Sequence, residues 1–220
     1  MNIIKDWHKH KRWTILDSRT VDNYNAHAVE RCIRYENVDF KWLYDVVGNF
    51  IKPGGTIFEI GCGSGRDARN LTGLGYKVTA TDASCGMLEQ AKKLDIEHKV
   101  TFLQKSFPLD INDRLFNNHY DAVLAMAVLM HIPIGERHEF LSQIARLLYP
   151  NGVAIISWSN NRNDENRLFE SLEQKDVPMV FSEANFDIIK TMNNNDALGR
   201  DIAWHTVIAR KLYSHCSNKE

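Results

Sequence analysis

The run Glu59-Ile60-Gly61-Cys62-Gly63-Ser64-Gly65-Arg66-Asp67-Ala68 has the makings of a turn that holds a ligand with its backbone. Glycines there permit positive φ and let the main chain approach a bound molecule closely. A helix starting directly afterwards turns unpaired N–H groups towards an anionic portion of the ligand, and a carboxylate would suit it. Asp82 follows about 20 residues past the turn, the separation at which an acidic side chain accepts hydrogen bonds from both hydroxyls of a ribose. Turn and acid together specify a nucleoside ligand. The competing reading of Asp82 is a helix N-cap, a role for which Ser84 also qualifies. A plain strand-to-helix connection would gain nothing from three spaced glycines, which cost backbone entropy. The dinucleotide fingerprint would place its third glycine one position later, where Arg66 stands, so a nicotinamide or flavin ligand fits poorly.

Such a turn needs a strand before it and a helix after it. Short β-rich runs are expected at residues 56–60, 77–81, 100–103, 122–126, 153–158, 186–189 and 203–209. Helical spacing of apolar residues falls between them, at 66–74, 86–94, 135–148 and 164–172; Phe140, Ile144, Leu147 and Leu148 are one example. This alternation predicts an α/β parallel sheet covered by helices on both faces. Residues 1–52 read as a helical N-terminal region closed by Lys52-Pro53-Gly54-Gly55, residues 53–212 as a single core domain, and 213–220 as a tail. The polar stretches at 159–166 and 193–195 read as loops after strands, where α/β proteins place ligand-contacting groups.

A chain of 220 residues with 44% hydrophobic content can bury one sizeable α/β core and is short for two. A net charge of -1 provides no global field to hold nucleic acid or anionic lipid. Cys32, Cys62, Cys85 and Cys216 are scattered without a Cys-x-x-Cys pair, which argues against a disulfide framework and a structural zinc site; no metal is expected. Free thiols, no apolar leader and no run of about 20 apolar residues give the expectation of a cytoplasmic protein with no membrane attachment.

The motifs resemble the class I S-adenosylmethionine-dependent methyltransferases, whose pattern is an acidic residue, Gly-x-Gly-x-Gly, then an acidic residue ending the second strand. The likeness runs from about residue 24 to residue 210. It takes in Tyr35-Glu36, the glycine turn, Thr81-Asp82-Ala83-Ser84 with Met87, Tyr120-Asp121-Ala122-Val123, Val128 to Pro133 and Leu147 to Gly152. Asp196-Ala197-Leu198-Gly199-Arg200 with Trp204 looks like the closing segment of one bacterial, small-molecule-type branch. The resemblance implies a Rossmann-like, seven-stranded, mostly parallel sheet with an antiparallel last strand and a helical N-terminal lid. It also implies S-adenosylmethionine as cofactor, S-adenosylhomocysteine as product, and methyl transfer to an oxygen or nitrogen nucleophile.

Carried over by that likeness, Gly61, Gly63 and Gly65 face the methionine portion, Arg66 joins the cofactor-binding residues, Glu59 orders the turn, Asp82 holds the ribose, and Ala83 and Met87 flank adenine. Ser106 and Phe107 lie near the adenine amine, although Lys105-Ser106 departs from the acidic residue often found there. Met126 and Ala127 stand beside the transferring methyl. His131 is the base that an acceptor hydroxyl or ammonium would need, or else it packs the turn at Pro133. Tyr24, Tyr35 and Glu36 belong to the lid, touching cofactor or acceptor, or else pack helices. A small-molecule acceptor is the leading expectation, for a monomer or homodimer. The alternatives are an RNA or protein acceptor docked on the cluster Lys5, His8, Lys9, His10, Lys11 and Arg12, interleaved with Trp7 and Trp13, and a non-catalytic sensor that only binds the cofactor.

Overall fold

The computed structural model describes residues 17–160, 164–196 and 199–212; the basic N-terminal cluster, Ala197, Leu198, Cys216 and the tail expected at 213–220 lie outside them. Three helices open the described chain: α1 (Ser18–Ala26), α2 (Ala28–Glu36) and α3 (Lys41–Phe50). The core follows as β1 (Thr56–Ile60), α4 (Arg66–Gly73), β2 (Lys77–Asp82), α5 (Cys85–Leu94), β3 (Thr101–Gln104) and β4 (Tyr120–Ala125). It ends with α6 (Arg137–Leu147), β5 (Leu148–Ser159), α7 (Val177–Glu183), β6 (Phe186–Asn195) and β7 (Ala203–Lys211).

The sheet order is β3-β2-β1-β4-β5-β7-β6. β1 to β5 pair in parallel and β7 runs antiparallel to both β5 and β6. Period-two alternation sends Ile57, Leu124 and Ile155 to one face, with Leu43 and Val47 of α3 and Leu71 of α4. Phe58, Val123 and Ile156 go to the other, with Phe140 and Ile144 of α6 and Phe181 of α7. Strand order reverses between β1 and β4, so the crevice beyond their C-terminal ends is where an open α/β sheet receives a ligand.

Two expected elements are corrected. Residues 164–172 form no helix. Their main chain is taken up by side chains and turns elsewhere: Leu168 N–H donates to Thr20 Oγ1, Glu170 N–H to the Met130 carbonyl, and the Leu172 carbonyl accepts from Trp158 Nε1 and Asn160 Nδ2. Such tertiary bonds compete directly with the helical ladder. Asn193 to Asn195, read as a loop, continue β6 because His205, Trp204 and Ala203 of β7 pair opposite them. Among the described residues no helix is long and apolar enough to cross a membrane.

Gly65 is the N-cap of α4 at φ 73°, and a β-carbon there would lie 2.9 Å from the Phe102 ring and 3.1 Å from Ala91. Gly65→Ala therefore combines left-handed strain with overpacking between α4 and the β3 side of the sheet. A loss of about 2–4 kcal/mol is expected in urea unfolding; an unchanged midpoint would refute this account of the turn.

Candidate active site

The turn after β1 is built from three positive-φ glycines, Gly61, Gly63 and Gly65, at 70°, 56° and 73°. At Gly61 the absence of a side chain is also a matter of space, since a β-carbon would stand 2.6 Å from Val128 Cγ2. Neighbouring strand ends are joined by the Cys62 N–H to Thr81 carbonyl bond, 2.9 Å, and by Thr81 Oγ1 donating to the Glu59 carbonyl, 3.0 Å.

Asp82 closes this arrangement. Its Oδ2 accepts from Gly63 N–H and its Oδ1 from Ser84 N–H, each at 2.9 Å. The helix cap is Ser84, whose hydroxyl accepts from Met87 N–H, so α5 does not require Asp82 as its cap. Burial pushes the Asp82 carboxyl up, opposed by the N–H groups of Ser84, Gly63 and Ala83. Glu59 is 2% exposed and its Oε2 has no hydrogen-bond partner. Burial, then the charge of Asp67, raises its pKa well above the usual range, with Arg66 opposing.

These groups line a cavity of about 420 Å³. Of the expected residues, Tyr24, Tyr35, Glu59, Gly61, Gly63, Arg66, Asp82, Ala83, Phe107, Met126, Ala127 and His131 contribute to its wall. Gly65, Met87, Ser106 and Glu36 do not. Gly65 lies beneath the turn, Met87 packs with Ala28 and Cys32, and the Ser106 hydroxyl is buried and unpartnered. Glu36 is spent on Ser64 Oγ and Arg69, each at 2.6 Å, tethering α2 to the turn from outside the cavity. Arg66 lines the wall while pairing with Asp67 at 2.9 Å and donating to the Tyr35 carbonyl at 2.7 Å; its guanidinium lies 4.2 Å from the Phe40 ring centroid.

At the β4 end, Ala127 holds φ 59°, uncommon for a residue with a β-carbon, and its N–H donates to Ser157 Oγ at 2.8 Å. His131 is buried just beyond. Its Nδ1 lies 2.6 Å from the Leu168 carbonyl and its Nε2 3.2 Å from the Tyr24 hydroxyl. A carbonyl can only accept, so the proton sits on Nδ1 and the Nε2 lone pair receives the Tyr24 O–H. Burial raises the Tyr24 pKa, and the neighbouring Tyr35 adds to it.

Sequence reasoning missed Arg31, Arg34, Trp42, Arg167 and Asn194 in the wall. Arg31 and Arg34 could have been read from their i, i+3 spacing beside Tyr35 on one helix; Arg167 and Asn194 reach the cavity only through the path of the loops. Asp196, Arg200 and Trp204 also line the cavity, with Asp196 accepting from Arg200 at 2.6 Å and Trp204 Nε1 at 2.9 Å. Among the described residues no group of three or more His, Cys, Asp or Glu is placed to hold a metal ion.

A β3-β2-β1-β4-β5-β7-β6 sheet with an acidic, glycine-rich turn at its switch point and an acid ending β2 defines a Rossmann-like fold. Residues 57–152 match the family model described as "Methyltransferase domain". Ubiquinone biosynthesis O-methyltransferase of Rickettsia akari is 34% identical over 106 residues, 47% of this chain and 40% of that protein, so the match spans less than half of the curated relative. Magnesium protoporphyrin IX methyltransferase of Synechocystis, solved with bound S-adenosylmethionine, superimposes with TM-score 0.67 at 21% identity over 90% of this chain and 99% of that one. The 1,6-didemethyltoxoflavin-N1-methyltransferase of Burkholderia thailandensis gives TM-score 0.72 at 17% identity over 89% and 88%. The solved neighbours show that this chain shares their fold, and the family match lies within residues 57–152 of its 220.

The Glu59 carboxyl makes a test of the site's electrostatics. Because its folded pKa is raised, the stability it contributes is complete below its unfolded value of about 4.3 and is lost as pH rises through the folded value, at about 1.4 kcal/mol for each pH unit that separates the two. Urea unfolding of the wild type and Glu59→Gln at acid and alkaline pH should show the wild type losing stability relative to the variant as pH rises. A pH-independent difference would mean that Glu59 is not held in its neutral form.

Proposed function

We propose that the chain is an S-adenosylmethionine-dependent methyltransferase that methylates an oxygen or nitrogen of a small-molecule acceptor. The observation that carries this reading is one cavity wall combining the positive-φ glycine turn, the Asp82 carboxylate and the unpartnered Glu59 Oε2, opposite the Tyr24–His131 pair. The match to the methyltransferase domain model supports the cofactor, and the named relatives, described as methyltransferases of ubiquinone biosynthesis, of magnesium protoporphyrin IX and of 1,6-didemethyltoxoflavin, support a small acceptor.

The residues fit that cofactor. Asp82 has lone pairs left after its bonds to Gly63 and Ser84 and would take the ribose hydroxyls. Glu59 Oε2 would accept from the ammonium of the methionine end, with the glycine turn giving backbone close approach. When bound, the cofactor supplies a methyl group already activated by its sulfonium, so the protein's task is alignment, proton removal and exclusion of water. The cavity wall around Met126, Ala127 and the Tyr24–His131 pair would hold the acceptor atom towards the cofactor's methyl group. The acceptor's proton passes to His131 Nε2, directly or through the Tyr24 hydroxyl. Leu168 holds the imidazole in the tautomer that can receive it. Tyr24 is a poor base in its own right, since burial disfavours its phenolate.

The helices α1 and α2 act as the lid in this proposal. They reach the core through Asn25 Oδ1, which accepts from Ser84 Oγ at 2.7 Å and Gly86 N–H at 3.1 Å, and place Tyr24 and Tyr35 across the cavity. The unpaired thiols of Cys32, Cys62 and Cys85 favour a reducing compartment such as the cytoplasm.

Asp82→Ala should weaken S-adenosylhomocysteine binding by about 3 kcal/mol or more in calorimetry, from two lost charge-assisted bonds; a wild-type affinity would remove Asp82 from the cofactor site. With labelled S-adenosylmethionine and fractionated cell extract, label should enter the small-molecule fraction, and label confined to RNA or protein would overturn the acceptor class. On the acceptor so found, His131→Asn should lower kcat about 100-fold or more and remove the acid limb of the pH–rate profile, with S-adenosylhomocysteine affinity kept. A variant that only loses stability and retains the profile would leave His131 as packing.

A further inference from the structure

Four arginines from three separate segments converge beside Tyr24: Arg31 and Arg34 on α2, Arg167 in the segment after β5, and Arg200 between β6 and β7. All four line the main cavity and also a second, polar recess of about 330 Å³. Two carboxylates, Glu30 and Asp164, share the recess wall. Arg167 is answered by Asp164 at 2.5 Å and Arg200 by Asp196 at 2.6 Å.

Arg31 and Arg34 are not answered in this way. Arg31 is 7% exposed; its NH2 donates to Asn23 Oδ1 at 2.5 Å and its guanidinium lies 4.5 Å from the Tyr24 ring centroid. Arg34 has the Tyr35 ring at 5.6 Å. Neither forms an ion pair among the described residues, and the Nε of each is buried without a hydrogen-bond partner. A guanidinium does not shed its proton in a protein; Arg31, buried with the charge of Asp164 acting on it but not paired to it, and half-buried Arg34 keep donors that an incoming anion would take up, relieving their desolvation cost. The planar donors suit the paired oxygens of a carboxylate or phosphate.

The recess is set apart from the nucleoside cradle, since neither the glycine turn nor Asp82 lines it. It adjoins the proton-accepting pair instead: the guanidiniums of Arg31 and Arg167 lie 4.5 and 5.7 Å from the Tyr24 ring centroid, and Tyr24 bonds His131. We infer that the recess is an oxyanion site for the methyl acceptor, so that the substrate is a small molecule carrying a carboxylate or phosphate at one end and its nucleophile at the other. Anchored by Arg31 and Arg34, the molecule presents its nucleophile to Tyr24 and His131 in the main cavity. This inference rests on the methyltransferase reading and adds the chemical class of its acceptor.

Calorimetric titration of inorganic phosphate and, separately, of acetate into the protein, both free and saturated with S-adenosylhomocysteine in a chloride-poor buffer, tests it. One saturable site should appear for at least one of the two, which tells phosphate from carboxylate, and it should persist with S-adenosylhomocysteine bound. Arg34→Gln should weaken that anion at least tenfold while holding S-adenosylhomocysteine affinity within twofold. Arg200→Gln, at the exposed rim, should give a smaller loss in the same direction and covers the case in which Arg34→Gln misfolds. No saturable anion in the wild type overturns the inference. So does an Arg34→Gln protein that is folded but loses S-adenosylhomocysteine, because the arginines would then serve the cofactor's own carboxylate. If the wild type binds no S-adenosylhomocysteine at all, the methyltransferase reading fails, and titration of the free protein still decides whether the recess takes an anion.

Discussion

The Asp82 carboxylate ties two elements that the rest of the site depends on. By accepting from Gly63 N–H it ties the end of β2 to the turn after β1, and by accepting from Ser84 N–H it sets the start of α5. Parallel neighbours make no turn of their own, so their C-terminal ends need such cross-links to hold a crevice open at fixed width. Thr81 supplies two more, through its carbonyl to Cys62 and its hydroxyl to the Glu59 carbonyl. The cost is a carboxyl kept in a setting that raises its pKa, a cost of the sort found where ligands are later to be bound.

The N-terminal helices are attached to this frame by polar contacts. Asn25 bonds Ser84 and the first turn of α5, Glu36 bridges Ser64 and Arg69, and Arg66 reaches back to the carbonyls of Tyr35 and Val38. The apolar part of the same contact is small: Ala28, Cys32 and Met87, with Tyr24 and Tyr35 against them. A segment held by a few directional bonds over a small apolar patch can open at lower cost than the sheet can, which suits a cover over a cavity. Arg66 occupies the position where a dinucleotide fold would keep a glycine, and it uses that position to bond the Tyr35 and Val38 carbonyls.

On the opposite side, His131 depends on a segment far away in sequence. The loop that replaces the expected helix at 164–172 exists because its carbonyls and N–H groups are matched by His131, Met130, Trp158, Asn160 and Thr20. The same loop brings Arg167 to Tyr24. The His131 hydrogen bond to Leu168 and the placement of Arg167 beside Tyr24 both depend on this one irregular stretch of chain, so a change there disturbs both.

The sheet was legible in the sequence because its signals are local: β-rich runs of period two, helices of period 3.6, and a glycine turn whose residues are adjacent in the chain. Every expected strand was present, and the ends were misjudged where pairing with a partner strand, as for Asn193 to Asn195 against β7, outweighs polar composition. The glycine turn could be named because three positive-φ positions favour glycine there. Tertiary structure alone decided which named residues share the cavity. It turned Glu36 outward to Arg69, buried Met87 against Ala28 and Cys32, fixed the His131 tautomer through Leu168, and gathered Arg31, Arg34, Arg167 and Arg200 from three segments. These outcomes depend on contacts between residues up to 148 positions apart, such as Thr20 with Leu168, and no local periodicity encodes a bond whose partner is chosen by the packing of the whole chain.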